Sequence, residues 1–309
     1  MKFTIFQSSR QGSRPYNQDR LAYSYSKDAL LLVVADGMGG HNHGEIASQL
    51  AVKILIESFQ RLALPILANP AKFLIDHIQQ IHDTIDQHTQ TNNLPESPRT
   101  TIVAAIIQRD VLYCAHVGDS RLYHFQNNNV TFRTEDHSVV QSLFRRGVIT
   151  KEDMLTHPYK HRIYNCLGGD LPPQIELSDK RDLKEGDVIL LCTDGLWGGF
   201  KKDEHIAKFL KSNPVNDSLI QMLDTAEKLN GNDSDNLSAI ILQWGDKPQI
   251  PASVSTVTMP IDVTTTMINP ANQNTQNKEI PQLSEAEIEK TIAEIHFALA
   301  RSKRQQQKM

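Results

Sequence analysis

Cysteine is scarce: Cys114, Cys166 and Cys192 are the three in 309 residues, scattered and without a CxxC pair. That excludes a disulfide framework, offers no thiolate set for structural zinc, and fits a reducing, cytoplasmic setting. No apolar run approaches the ~18–20 residues of a membrane-spanning helix. The opening residues, MKFTIFQSSRQGSRP, hold neither a long apolar segment nor a small-residue cleavage site, so no secretory signal is expected. A large excess of one charge is missing too. The 32 basic and 36 acidic residues leave a formal charge of −4, which argues against nucleic acid as the main partner. What is present is ordinary globular composition: 39% hydrophobic residues are enough to build a core, in one large domain or two small ones.

Composition shifts sharply near Trp244. Residues 1–245 alternate short apolar runs with helical patterns. Residues 246–283, rich in Pro, Thr, Asn and Gln, read as a flexible polar linker. A last amphipathic helix is expected over 284–304. Ser284 and Glu287 form a capping-box pattern, and Ile288, Ile292, Ile295 and Leu299 follow at helical spacing. Residues 305–309 read as a frayed basic tail. Within 1–245, periodicity predicts helices over 44–63, 71–90, 203–211 and 216–229. Strands are predicted over 2–6, 29–35, 101–107, 111–117, 121–125, 130–133, 174–177, 187–193 and 237–244. Clustered strands with helices inserted in pairs point to sheets covered by helices, not to a doubly wound sheet. The stretch 137–170 is long and irregular, as functional flaps are.

One pattern recurs. Apolar runs end in Asp36-Gly37, in Gly118-Asp119 and in Asp194-Gly195, and another begins just after Asp235-Asn236. A carboxylate at the end of a buried strand is costly unless it is paired or binds a cation. Basic residues are not clustered there, Arg121 excepted. Oxygen-only ligands select a hard cation, Mg²⁺ or Mn²⁺. The competing reading is that each Asp-Gly merely shapes a turn.

The motifs GSRPYNQD (12–19), VVADGMGGHNHGEIAS (33–48), RTTIVAA (99–105), HVGDSRLY (116–123), TEDHS (134–138), LGGD (167–170), LLCTDGLWG (190–198) and SDNLSAIIL (234–242) occur in one order. In that order they resemble the metal-dependent protein phosphatases of type 2C, in their bacterial serine/threonine form. The resemblance implies an α+β fold: a four-layer α-β-β-α sandwich of two central antiparallel sheets flanked by helix pairs. It implies that Asp36 bridges two Mn²⁺ or Mg²⁺ ions, the carbonyl of Gly37 binds one, and Asp194 and Asp235 complete the other. Asp119, with Asp194, would hold a third, weaker ion. Arg14 would grip the substrate phosphate, and Gln18 and Asp19 would act through metal-bound water. Two such cations activate a bridging hydroxide for direct in-line attack on phosphoserine or phosphothreonine, with no covalent intermediate.

The sequence departs from the family at several points. Met38 stands where some members carry a candidate general-acid histidine. His41 and His43 lie close by and are candidates for that role, the alternatives being that they are solvated loop histidines and that a metal-bound water protonates the leaving group. Gln18 replaces a frequent Glu, Arg99 replaces a frequent Gly, and His161 and Asn165 in the flap replace residues that are often Asn and Arg. His77, His82 and His88 read as structural, Cys114 and Cys192 as core thiols, and Trp197 and Phe200 as packing against the site. Implied partners are phosphorylated proteins and a cognate Ser/Thr kinase system. The last helix would dock on the phosphatase itself or on a partner. A regulatory module with the same fold and little activity is the alternative to an enzyme.

Overall fold

The computed structural model describes residues 1–38, 43–211, 213–245, 253–255 and 264–268. The chain divides into Met1–Ala271 and Asn272–Met309. The second unit, including the helix expected over 284–304 and the tail 305–309, lies outside the described residues, as does His41.

Among the described residues thirteen strands form two antiparallel sheets. The first contains β1 (Lys2–Arg10), β6 (Arg121–Gln126), β7 (Asn129–Arg133), β10 (Val188–Cys192), β11 (Leu237–Trp244) and β12 (Ser253–Ser255), ordered β12-β1-β11-β10-β6-β7. The second contains β2 (Arg20–Tyr25), β3 (Ala29–Ala35), β4 (Ile102–Gln108), β5 (Val111–Val117), β8 (Glu176–Leu177) and β13 (Thr264–Ile268), ordered β13-β2-β3-β4-β5-β8. The short β9 (Arg181–Asp182) also pairs with β5.

Period-two alternation explains the layering. In β3, Leu30, Leu32 and Val34 meet Ile189, Leu191, Ile240 and Leu242 of the other sheet, while Leu31 and Val33 face helices. β4 splits the same way, Val103 and Ile107 inward and Ile102 and Ile106 outward. Both faces are covered, so these strands are apolar throughout and show no polar alternation.

α1 (Gly44–Leu62) and α2 (Pro70–Thr91) cover the second sheet with Ala47, Ala51, Leu55, Leu74, Ile78 and Ile81. Asn69 caps α2, its side chain accepting from the Lys72 amide. The first sheet is covered by α5 (Asp194–Trp197), α6 (Asp203–Ala207) and α7 (Val215–Asn230). The flap carries α3 (Val139–Arg145) and α4 (Lys151–Met154), capped by Ser138 and by a Thr150–Asp153 capping box. The fold is therefore the α-β-β-α sandwich expected. Among the described residues no helix is long and apolar enough to cross a membrane.

Two differences from the sequence reading stand out. β2 is not among the predicted strands: its sequence RLAYSY is only mildly apolar, and it forms because β3 supplies a partner from Arg20↔Ala35 to Tyr25↔Leu30. The segment read as a linker contributes β12, paired with β1, and β13, paired with β2. Polar, Thr-rich stretches cannot build a core, but they can occupy an open sheet edge through backbone hydrogen bonds. Truncation after Gly245 should therefore lower stability by about 1–3 kcal/mol relative to truncation after Ala271, a few net backbone hydrogen bonds being lost. Equal denaturation midpoints for the two truncated proteins would contradict this edge role.

Candidate metal and phosphate site

Strand register brings the acids together. Asp19 precedes β2 and Asp36 follows β3, which start and end opposite each other at Arg20↔Ala35. Asp119 follows β5, whose last residue Val117 faces Ile102 of β4. In the other sheet Asp194 follows β10, and Asp235 precedes β11, beside the end of β1. All five carboxylates thus emerge at one end of the sandwich, where Asp36 feels Asp19, Asp194, Asp119 and Asp235.

Their electrostatics follow from that crowding. Burial and then mutual repulsion hold the Asp36 and Asp119 carboxyls well above the usual range. Burial is also the main reason that Asp194 rises to about 6; repulsion from Asp235 adds to it, while a hydrogen bond with Asp36 and the charge of Arg14 oppose it. Asp19, fully buried, rises to about 7 despite hydroxyl partners. Thr193 Oγ1 donates to its Oδ2 at 2.9 Å, while Oδ1 is buried with no partner among the described residues.

The counter-charge is sparse. Arg14 forks onto Asp235, Nε and one terminal nitrogen each 2.7 Å from a carboxylate oxygen. It stays half exposed at the mouth. Arg121 follows Asp119 in sequence but pairs with Asp136 at 2.7 and 2.8 Å and lies 3.4 Å from the centroid of the Trp197 ring. Trp197 in turn donates from Nε1 to the Asp119 carbonyl at 3.0 Å, so it packs against the site as read from the sequence.

Backbone hydrogen bonds fix the acids. The Asp36 amide donates to Thr101 Oγ1, and its carbonyl accepts from Thr100 Oγ1 and the Thr101 amide. A Cβ on Gly37 would collide with the backbone of Gly44 and Gln18, so only glycine lets the chain pass there. Gln18 donates from Nε2 to Glu45 at 3.1 Å, and its own amide donates to Asn236 Oδ1. His43 begins α1 in a left-handed conformation, with Glu45 at 3.9 Å as its charged neighbour. Thr100, Thr101, Thr193 and Asn236 escaped the sequence reading. Each adjoins a motif acid or lies one residue from it, or supports one across a strand pair, which a linear scan does not reveal.

The donor set fits a hard divalent cation. It is all oxygen, one buried carboxylate oxygen has no partner among the described residues, and at Gly37 a side chain would collide with neighbouring backbone. The protein phosphatase 2C family model matches residues 7–238. The chain belongs to that family. It is 31% identical over 240 residues to the serine/threonine phosphatase stp of Listeria monocytogenes serotype 4b, covering 77% of this chain and 94% of that one. Among solved structures, the Streptococcus agalactiae serine/threonine phosphatase aligns with TM-score 0.71 at 28% identity, over 78% of this chain and 99% of that one. The catalytic domain of PstP in complex with two manganese ions aligns with TM-score 0.64 at 28% identity, over 78% and 98%.

Crowded buried carboxyls should make cation dependence visible in stability. A carboxyl whose pKa is raised on folding destabilises the fold as pH climbs from its unfolded value near 4 through its folded value. For Asp194 and Asp19 that window runs up to about 6 and about 7. EDTA-treated protein should thus melt lower at pH 7.5 than at pH 5.5. Mn²⁺ at 100 times its Kd should restore about 2.7 kcal/mol at pH 7.5. Identical melting curves with and without Mn²⁺ at pH 7.5 would contradict a cation in this pocket.

Proposed function

We propose that this pocket hydrolyses phosphoserine and phosphothreonine on proteins, in a metal-dependent reaction that reverses a Ser/Thr kinase. The observation that carries it is the charge imbalance. Five aspartates converge on a mouth guarded by one guanidinium. Fully ionised, they leave four negative charges, the charge of two divalent cations. Asp36, the Gly37 carbonyl, Asp194 and Asp235 would hold two Mn²⁺ or Mg²⁺ ions, and Asp119 with Asp194 a weaker third. When bound, such ions lower the pKa of water and neutralise phosphoryl charge.

The chain's own residues do the rest. Arg14 offers a planar fork of donors, suited to two phosphoryl oxygens. Asp19, held by Thr193, keeps a free oxygen for water inside the pocket. Gln18 supplies a neutral amide at the start of α1. His41 or His43 would protonate the leaving oxygen. The alternative, a regulatory module of the same fold, loses weight because every acid of the set is retained. The three unpaired cysteines support a cytoplasmic setting.

Turnover of p-nitrophenyl phosphate and a phosphothreonine peptide with Mn²⁺, abolished by EDTA, is the direct test; no turnover at any Mn²⁺ concentration would sink the proposal. Asp36→Asn should abolish turnover and the Mn²⁺-induced rise in Tm, yet stabilise the EDTA-treated protein, because a repelled carboxylate is gone. Arg14→Ala should mainly raise KM, by about 1.5–3 kcal/mol for a lost charged hydrogen bond. An unchanged KM and kcat would remove Arg14 from the phosphate site.

A further inference from the structure

Outside the aspartate pocket, His116, His137 and Glu176 place three potential ligand atoms within 4.8 Å of one another. The hydrogen bonds around His137 argue against a metal there. Its Nδ1 accepts from the Gly118 amide at 3.1 Å and from Asn165 Nδ2 at 2.7 Å. Asn165 cannot be turned over, because the Gln174 amide donates to its Oδ1 and its Nδ2 also donates to the Gln174 carbonyl. Two donors on Nδ1 force the proton onto Nε2, which points to Glu176 at 3.3 Å and has no lone pair for a cation. Burial and the stacked His116 ring, 4.6 Å away, both push His137 down, towards the neutral form that this bonding needs.

The same contacts make His137 a junction. Its amide donates to the Gly118 carbonyl at 2.9 Å, so backbone and ring together clamp Gly118 from both sides. Gly118 has φ +106°, and a Cβ there would lie 2.6 Å from Thr101, the residue bonded to the Asp36 amide. It is therefore wedged between His137 and the support of Asp36, and its next residue is Asp119. On the other side, the His137 carbonyl accepts from Tyr164, and Val139 donates to Arg162 at 2.8 Å. These bonds close the base of the flap. Tyr159 and Tyr164 of that flap are exposed.

We infer that His137 is a positioning residue that locks Gly118–Asp119 to the base of the flap, so that cation binding at Asp119 depends on the flap. The inference rests on reading Asp119 as a ligand of the weaker cation.

The test uses the full chain and Mn²⁺ titrations of activity, alongside metal analysis for tightly held ions. His137→Ala should raise the Mn²⁺ concentration for half-maximal turnover about 10- to 100-fold, as lost outer-shell support does, while tightly held Mn²⁺ stays unchanged. Asparagine puts an acceptor oxygen where Nδ1 stands; glutamine moves it one bond further out. His137→Asn should thus restore most of the Mn²⁺ response and His137→Gln should not, with similar Tm values for the pair. Rescue by Gln and not Asn would overturn the inference, since that order reports bulk rather than acceptor position. Asp119→Ala separates the two levels. If it shifts the Mn²⁺ response and His137→Ala does not, the inference falls alone. If Asp119→Ala shifts nothing, the reading of Asp119 falls, and the inference with it.

Discussion

Like-charge repulsion in a dry place is the constraint that organises this molecule. At one end of the sandwich, burial and mutual repulsion raise the proton affinity of Asp19, Asp36, Asp119 and Asp194, opposed by Arg14 at the mouth and by Arg121 beside Asp119. A protein does not keep such a cluster for stability: replacing charges of this kind with apolar groups is commonly neutral or stabilising. The cluster makes sense as a cation receptor, with folding energy from the cores spent on holding it together.

That energy comes from three apolar layers. The central one, between the sheets, is built by alternate residues of strands whose other faces meet helices, so β3, β4, β10 and β11 each anchor two cores at once. Because these strands are rigid from both sides, their ends are fixed points. Asp36 and Asp194 follow two of those strands, Asp119 follows β5, which also faces two cores, and Asp235 and Asp19 precede two strand starts. Catalytic precision here is inherited from strand register, and the threonines at 100, 101 and 193 refine it by hydrogen bonds.

Much of this was readable from the residues. The long helices declared themselves by period, and the doubly buried strands by continuous apolar runs ending in Asp-Gly. What stayed hidden had a common cause: it depends on partners distant in the chain. RLAYSY becomes β2 because β3 is there to pair with. Thr264–Ile268 becomes a strand because β2 leaves an edge open. Arg121 looked like a counter-ion for Asp119 two residues away. Strand alternation places both on one side only if the chain is extended from one to the other, and Gly118 and Asp119 instead turn before β6 begins, leaving Arg121 to Asp136. The His137 ring of the TEDHS motif serves as an acceptor for the Gly118 amide, a role that only the fold reveals.

Asp235 ties the two halves of the chemistry together. It is bound bidentately by the guanidinium of Arg14, and it is one of the carboxylates proposed to hold a cation. Negative charge shared between a guanidinium and a divalent ion gives less to each than it would give to either alone. On the proposed reading, a cation at Asp235 would loosen Arg14 from its carboxylate just where a phosphoryl group would need those donors. Arg14 is half exposed and can swing, whereas Asp235 is pinned through Asn236, whose side chain donates to the Gln11 and Tyr16 carbonyls and accepts from Gln18. On that reading the guanidinium would be the moving part, and phosphate affinity at this mouth should follow cation occupancy and not merely coexist with it.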